Sequence, residues 1–210
     1  MNNNDIYQKF KLWTMVPEIH YLHSLTLADH IRDIPGSIVE CGVWMGGQIA
    51  GIATVLGPDR EYVLYDSFQG IPDVDITRDG QWCADWVATQ GVCFAEEHHC
   101  RTAMHHAEAT NVHVVPGWFN ETLPHAHFDN GIALLRMDAD LYSSTLDILT
   151  WLFPQVNPGG MIIIDDYLFL EGCSKAVHTY LSDHDRPEKL ATIGNQLIDH
   201  GVTYMIKRSV

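Results

Sequence analysis

The residues of this chain that could do chemistry gather where apolar runs stop. Leu134, Leu135, Arg136 and Met137 lead into Asp138 and Asp140, and Ile162, Ile163 and Ile164 lead into Asp165 and Asp166. In an open α/β sheet, ligands sit just outside the carboxyl ends of the strands. Two neighbouring strands ending this way aim four carboxylates at one crevice. Like charges held together need a cation or a shared proton. Hard cations such as Mg²⁺ prefer carboxylate oxygens, and Asp138, Asp165 and Asp166 have the type and placement of ligands. Asp140 lies past the strand end and points to a substrate, whose proton a carboxylate can take. The bland alternative is that Asp140, Ser143 or Ser144 caps a helix and Asp165 begins a turn. It leaves the alignment of two acidic strand ends unexplained.

A glycine turn precedes this cluster. Glu40-Cys41-Gly42-Val43-Trp44-Met45-Gly46-Gly47 follows an apolar strand and opens a helix. It is not the GxGxxG turn that cradles a dinucleotide pyrophosphate. Glu40 at the strand end repels a phosphate and attracts a cation, such as the ammonium and sulfonium of S-adenosylmethionine. Asp66 ends the next strand, where a carboxylate can accept ribose hydroxyls. Nicotinamide sites also use an acid there, so Asp66 alone does not separate the two cofactors.

These residues need a frame. Strands are expected at 37–41, 61–65, 112–115, 132–137 and after the Asn157-Pro158-Gly159-Gly160 turn, with a terminal strand over 202–207. Helices are expected over 6–34 up to Pro35-Gly36, from Gly46-Gly47 to Leu56, and over 94–109, 144–153 and 173–181. The stretch 67–90, rich in Asp, Gly and Trp, reads as a long functional loop. Strands alternating with helices imply a doubly wound α/β fold with a parallel sheet. The expected organisation is an N-terminal helical cap or interface segment, 1–35, followed by one domain, 36–210.

Composition narrows the partners. A formal charge of −15 disfavours nucleic acid and anionic membranes, which need basic patches. The five cysteines (Cys41, Cys83, Cys93, Cys100 and Cys173) are odd in number and form no CxxC pair, which fits a reducing cytoplasm. The polar start of the chain lacks a signal-peptide layout, and no apolar run is long enough to span a bilayer.

Five motifs, in order and in register, resemble the macrocin O-methyltransferase family. They are Glu40-Cys41-Gly42-Val43-Trp44-x-Gly46-Gly47, Asp66-Ser67-Phe68-Gln69-Gly70-x-Pro72, Gly117-Trp118-Phe119-x-x-Thr122-Leu123-Pro124, Asp138-x-Asp140-x-Tyr142-x-Ser144-Thr145, and Pro158-Gly159-Gly160-x-x-Ile163-x-Asp165-Asp166-Tyr167. The resemblance implies a seven-stranded, Rossmann-like class I methyltransferase sheet with the last strand antiparallel. It implies S-adenosylmethionine and Mg²⁺ as cofactors and a small natural-product hydroxyl, on a sugar or catechol-like diol, as acceptor. It implies Asp138, Asp165 and Asp166 as metal ligands and Asp140 as general base. Glu40 and Gly42 would lie near the cofactor's methionine and Asp66 at its ribose, with Val43, Ser67, Phe68 and Asp138 beside it. It also implies a homo-oligomer. The chain departs from the family in a short segment before Pro35 and a loose match over 73–106.

Other residues have two readings. His98, His99, His105 and His106 form two pairs on a helix, either a soft-metal site with Cys100 or a solvated face. Trp82 and Trp86 either stack on the acceptor or pack internally. His20 and His23 either touch the acceptor or belong to an interface helix. Tyr142 and Tyr167 flank the carboxylates and could simply pack there. The rival functions are a nicotinamide-dependent oxidoreductase, a metal-dependent hydrolase and a non-catalytic binding protein.

Overall fold

The computed structural model describes residues 1–90, 93–194 and 201–209. The chain opens with two helices, α1 (Asn3–Phe10) and α2 (Glu18–His30), rather than the single helix expected over 6–34. A capping box between Asn2 and Asp5 starts α1. Pro17 is the N-cap of α2 and biases Val16 away from helical backbone, so the chain cannot run straight through. Then follow β1 (Ser37–Cys41), α3 (Gly47–Leu56) and β2 (Glu61–Asp66).

The expected loop over 67–90 instead contains α4 (Ile76–Asp79) and α5 (Gln81–Gln90). Asp75 caps α4 by accepting from the Thr77 amide at 3.0 Å, and Gly80, with φ +85°, separates the two helices. The Asp and Gly residues that read as loop are therefore the punctuation of short helices. The remaining elements are α6 (Glu97–His106), β3 (Asn111–Pro116), α7 (Phe119–Thr122), β4 (Ile132–Met137), α8 (Tyr142–Leu152), β5 (Val156–Ile164), α9 (Glu171–Asp183), β6 (Ala191–Ile193) and β7 (Val202–Ile206). The expected Asn157–Gly160 turn is absorbed into β5, and the three-residue β6 has no counterpart in the sequence reading.

Among the described residues, seven strands form one sheet in the order β3-β2-β1-β4-β5-β7-β6. The first five are parallel, and β7 runs against both neighbours. β1 and β4 are buried along their whole length, as interior parallel strands must be. Alternate residues face opposite layers. Ile38, Leu134 and Ile163 join α1, α2, α3 and α6 in one core, while Val39, Leu135 and Ile162 join α8 and α9 in the other. Ile6, Phe10, Tyr21 and Leu25 belong to the first core, so the N-terminal helices are packed into the same body as the sheet. Among the described residues, no helix is long and apolar enough to cross a membrane.

Candidate active site

The order of strands reverses between β1 and β4, and ligands of open α/β sheets bind at that switch. Ladder bonds continue past the strand ends. The Asp138 amide donates to the Cys41 carbonyl at 2.9 Å, and the Asp165 amide donates to the Met137 carbonyl at 3.0 Å. Gly42, Asp138 and Asp165 therefore stand side by side on one edge. A cavity of about 1000 Å³ opens there and takes in Gly42, Asp66, Ser67, Asp138, Asp140, Asp165 and Asp166. Of the other expected cofactor residues, Glu40 is buried beneath the cavity, and Val43 and Phe68 pack into or against the first core.

The glycine turn is built around Asp66. Its Oδ2 accepts from the Val43 and Trp44 amides at 2.7 and 2.8 Å, and its Oδ1 accepts from the Phe68 amide at 2.7 Å. A carboxylate has about four acceptor positions, and these three bonds leave little room beyond one further donor. Gly42 has φ +85°, and a Cβ there would lie 1.6 Å from the Asp138 carbonyl oxygen, so only glycine fits. The Gly46 amide donates to the Val43 carbonyl and the Gly47 amide to the Trp13 carbonyl, both at 2.8 Å. A pyrophosphate would need those amides free at the helix start. They are occupied, which weighs against a nicotinamide dinucleotide in this turn.

Asp140 has a left-handed backbone, φ 56°, as does Trp44 in the lining of the same cavity. Such conformations are uncommon for residues other than glycine and concentrate at functional sites. The turn after β4 runs through Ala139 and Asp140, and both amides donate to Asp166 Oδ2, at 3.1 and 3.0 Å. One oxygen from each of Asp138, Asp140 and Asp166 lies within 4.8 Å of the others. Asp165 stands apart from that trio because Arg136 Nη2 holds its Oδ1 at 2.7 Å. Arg136 Nη1 also reaches Asp138 Oδ2 at 3.0 Å and Glu40 Oε1 at 2.9 Å. The guanidinium is 1% exposed and sits among three carboxylates.

The charge balance follows. Burial pushes Asp140 up to about 8, helped by Asp138 and Asp165. Asp138 is pushed up to about 6 by burial and by Asp165, with Arg136 pulling the other way. Asp166 lies well above the carboxylate range through burial and its acidic neighbours. A divalent cation would reverse these shifts. A compact set of carboxylate oxygens fits a hard ion such as Mg²⁺. Beneath them, Glu40 Oε2 is buried without a hydrogen-bond partner.

Arg136 was missed as a site residue in the sequence, although a charged residue in an otherwise apolar, fully buried strand signals a buried ion pair. Asp79 was missed too. It is 4% exposed and accepts from the Tyr142 amide at 2.7 Å. Trp86 and His20 line the cavity. Tyr142 lies under Arg78, 4.7 Å from ring to guanidinium, and Tyr167 bonds to His178 at 2.8 Å, so both have partners of their own. The four histidines lie on α6, where His98 contacts Glu96 and His106 meets the Trp13 ring. Among the described residues, the carboxylate trio is the group able to hold a metal.

A doubly wound sheet with a reversed β7, carrying a glycine turn across from acidic strand ends, is the architecture of the class I methyltransferases. Within that class, the chain belongs to the Macrocin-O-methyltransferase (TylF) family, whose model matches residues 13–201. It is 39% identical over 171 residues to the demethyldecarbamoylnovobiocin O-methyltransferase of Streptomyces niveus, covering 77% of this chain and 64% of that protein. It is 34% identical over 179 residues to the mycinamicin III 3''-O-methyltransferase of Micromonospora griseorubida, covering 79% of this chain and 68% of that one. It thus spans about two thirds of these relatives' lengths. The solved structure of the O-methyltransferase NovP superposes with a TM-score of 0.79 at 33% identity, over 94% of this chain and 83% of that chain.

Proposed function

We propose that this chain is an S-adenosylmethionine- and Mg²⁺-dependent O-methyltransferase acting on a sugar or catechol-like diol of a small natural product. The observation that carries this reading is the meeting, at one switch point, of the Asp66-braced glycine turn with the carboxylates after β4 and β5. The relatives' names, which describe O-methylation of antibiotics, support it.

Asp138, Asp165 and Asp166 would hold the ion, which requires Asp165 to turn from Arg136 toward Asp138 and Asp166. Each has an oxygen not engaged in the bonds above: Oδ1 of Asp138, Oδ2 of Asp165 and Oδ1 of Asp166. When bound, S-adenosylmethionine supplies a methyl on a positive sulfur, and Mg²⁺ lowers the pKa of a chelated hydroxyl. Asp140 accepts the acceptor's proton as general base. Gly42, Ser67 and Asp138 would form the cofactor wall, backed by Val43 and Phe68, whose amides brace on Asp66. Asp66 has room to accept from the ribose while it braces the turn. Glu40, paired with Arg136 beneath, holds that guanidinium under the strand ends that carry the site. The free cysteines suit a cytoplasmic setting, and the N-terminal helices offer a surface for self-association.

Calorimetry with S-adenosylhomocysteine and with NADH separates this reading from the oxidoreductase: only the first is expected to bind. EDTA is expected to abolish methyl transfer and added Mg²⁺ to restore it. Full turnover in EDTA would remove the ion from the mechanism.

A further inference from the structure

We propose that Trp82, Trp86 and Phe169 form an aromatic shelf at the cavity mouth that seats a flat aryl portion of the acceptor. The hydroxyl to be methylated would then arrive attached to an aromatic scaffold and not on a bare sugar. This rests on the methyltransferase reading and extends it to what the acceptor must carry.

Trp86 and Phe169 line the same cavity as Asp140 and Asp166. The Phe169 amide donates to the Asp166 carbonyl at 3.0 Å, so this ring is tied to the carboxylate turn. Trp82 meets Phe169 edge-on, with centroids 5.1 Å apart, and lies nearly parallel to Trp86 at 6.4 Å. None of the three rings belongs to either apolar core. Trp82 and Phe169 are 54% and 53% exposed. Large rings left in water beside a cavity mark a place where another apolar surface settles.

The shelf is held in place before anything binds. Cys83, next to Trp82, is buried in the second core. Asp79 accepts from the Tyr142 amide at 2.7 Å and from the Asp75 amide at 3.0 Å. Lys175 donates to the Arg78 carbonyl at 3.1 Å. These bonds fasten α4, and with it α5, to α8 and α9. A preformed surface loses little conformational freedom on binding. Among the described residues, no lysine or arginine lines the cavity, so an anionic scaffold would find no cationic Lys or Arg side chain to pair with there.

The test compares two glycosides with the same sugar, methyl and naphthyl α-L-rhamnopyranoside. Binding is measured by calorimetry on the full chain saturated with S-adenosylhomocysteine and Mg²⁺. The naphthyl glycoside is expected to bind roughly tenfold tighter, the size of one favourable aromatic contact. Trp82→Ala and Phe169→Ala are each expected to remove most of that ratio. Trp151→Ala, also an exposed tryptophan but near the C-terminal end of α8, away from the carboxylate turn that precedes that helix, is expected to keep it. Equal binding of the two glycosides, binding of neither, or a ratio unchanged in both shelf variants would overturn the proposal. Failure to bind S-adenosylhomocysteine would instead remove the methyltransferase reading itself.

Discussion

Asp140→Asn is expected to lower kcat by roughly 10²- to 10⁴-fold, the usual contribution of a positioned general base. The amide keeps the shape of the side chain, and asparagine tolerates the left-handed backbone that Asp140 adopts at φ 56°. The two amide bonds from Ala139 and Asp140 to Asp166 do not use the Asp140 side chain and should persist. Affinity for S-adenosylhomocysteine should therefore stay within about threefold, because the glycine turn is braced by Asp66 and not by Asp140. Turnover at the parent rate would show that another group takes the proton. A parallel loss of cofactor affinity would show that Asp140 shapes the cofactor site.

Arg136→Met is expected to destabilise the fold by about 3–5 kcal/mol, the cost of leaving partners of a buried ion pair uncompensated. Methionine fills much of the volume, so the lost charge dominates over the lost packing. Glu40, Asp138 and Asp165 all face the guanidinium, and Glu40 is as deeply buried as Arg136 itself. A shift of the urea midpoint without a change in slope would report this as stability. The pH dependence has a definite sign. Burial pushes Glu40 up to about 8 even with Arg136 opposing, and Asp138 up to about 6. Acids whose folded pKa lies above the ordinary value of about 4 lose stability as pH rises through that window. Without the guanidinium their pKa values climb further. The deficit of Arg136→Met should thus be smaller at pH 5 than at pH 8. A deficit that is flat or reversed with pH would mean that the three acids are not what Arg136 stabilises.

What could be read from the sequence and what could not divide along physical lines. The acidic strand ends were legible because an apolar run that stops at Asp138 or Asp165 has few other uses. The Gly42 turn was legible because glycine there answers a backbone need that no other residue meets. Both are local patterns. Arg136 in a strand reads only as an odd charge, since its partner Glu40 comes from a distant segment and meets it only when β1 and β4 pair. The helices α4 and α5 escaped because they are short and bounded by Asp and Gly, and docking through Asp79 helps to hold them. The break at Pro17 was available in the sequence, but the apolar positions that carried the helix, Ile19 to Ile31, all follow it and leave its start undefined. The antiparallel last strand came from the family resemblance and agrees with the pairing of β7 against β5. The grouping of Asp138, Asp140 and Asp166, with Asp165 drawn toward Arg136, required side-chain positions.

The pairing of β1 with β4 also bears on how the molecule is made. Ile38 waits for Leu134, so the nascent chain carries one bare apolar edge while the intervening stretch is synthesised. At elongation speeds of about 5–20 residues per second, that interval lasts several seconds. The edge closes in the same event that sets Gly42 against Asp138. No half-finished form has that crevice complete, and the proposed methyl transfer should emerge all at once with the folded body.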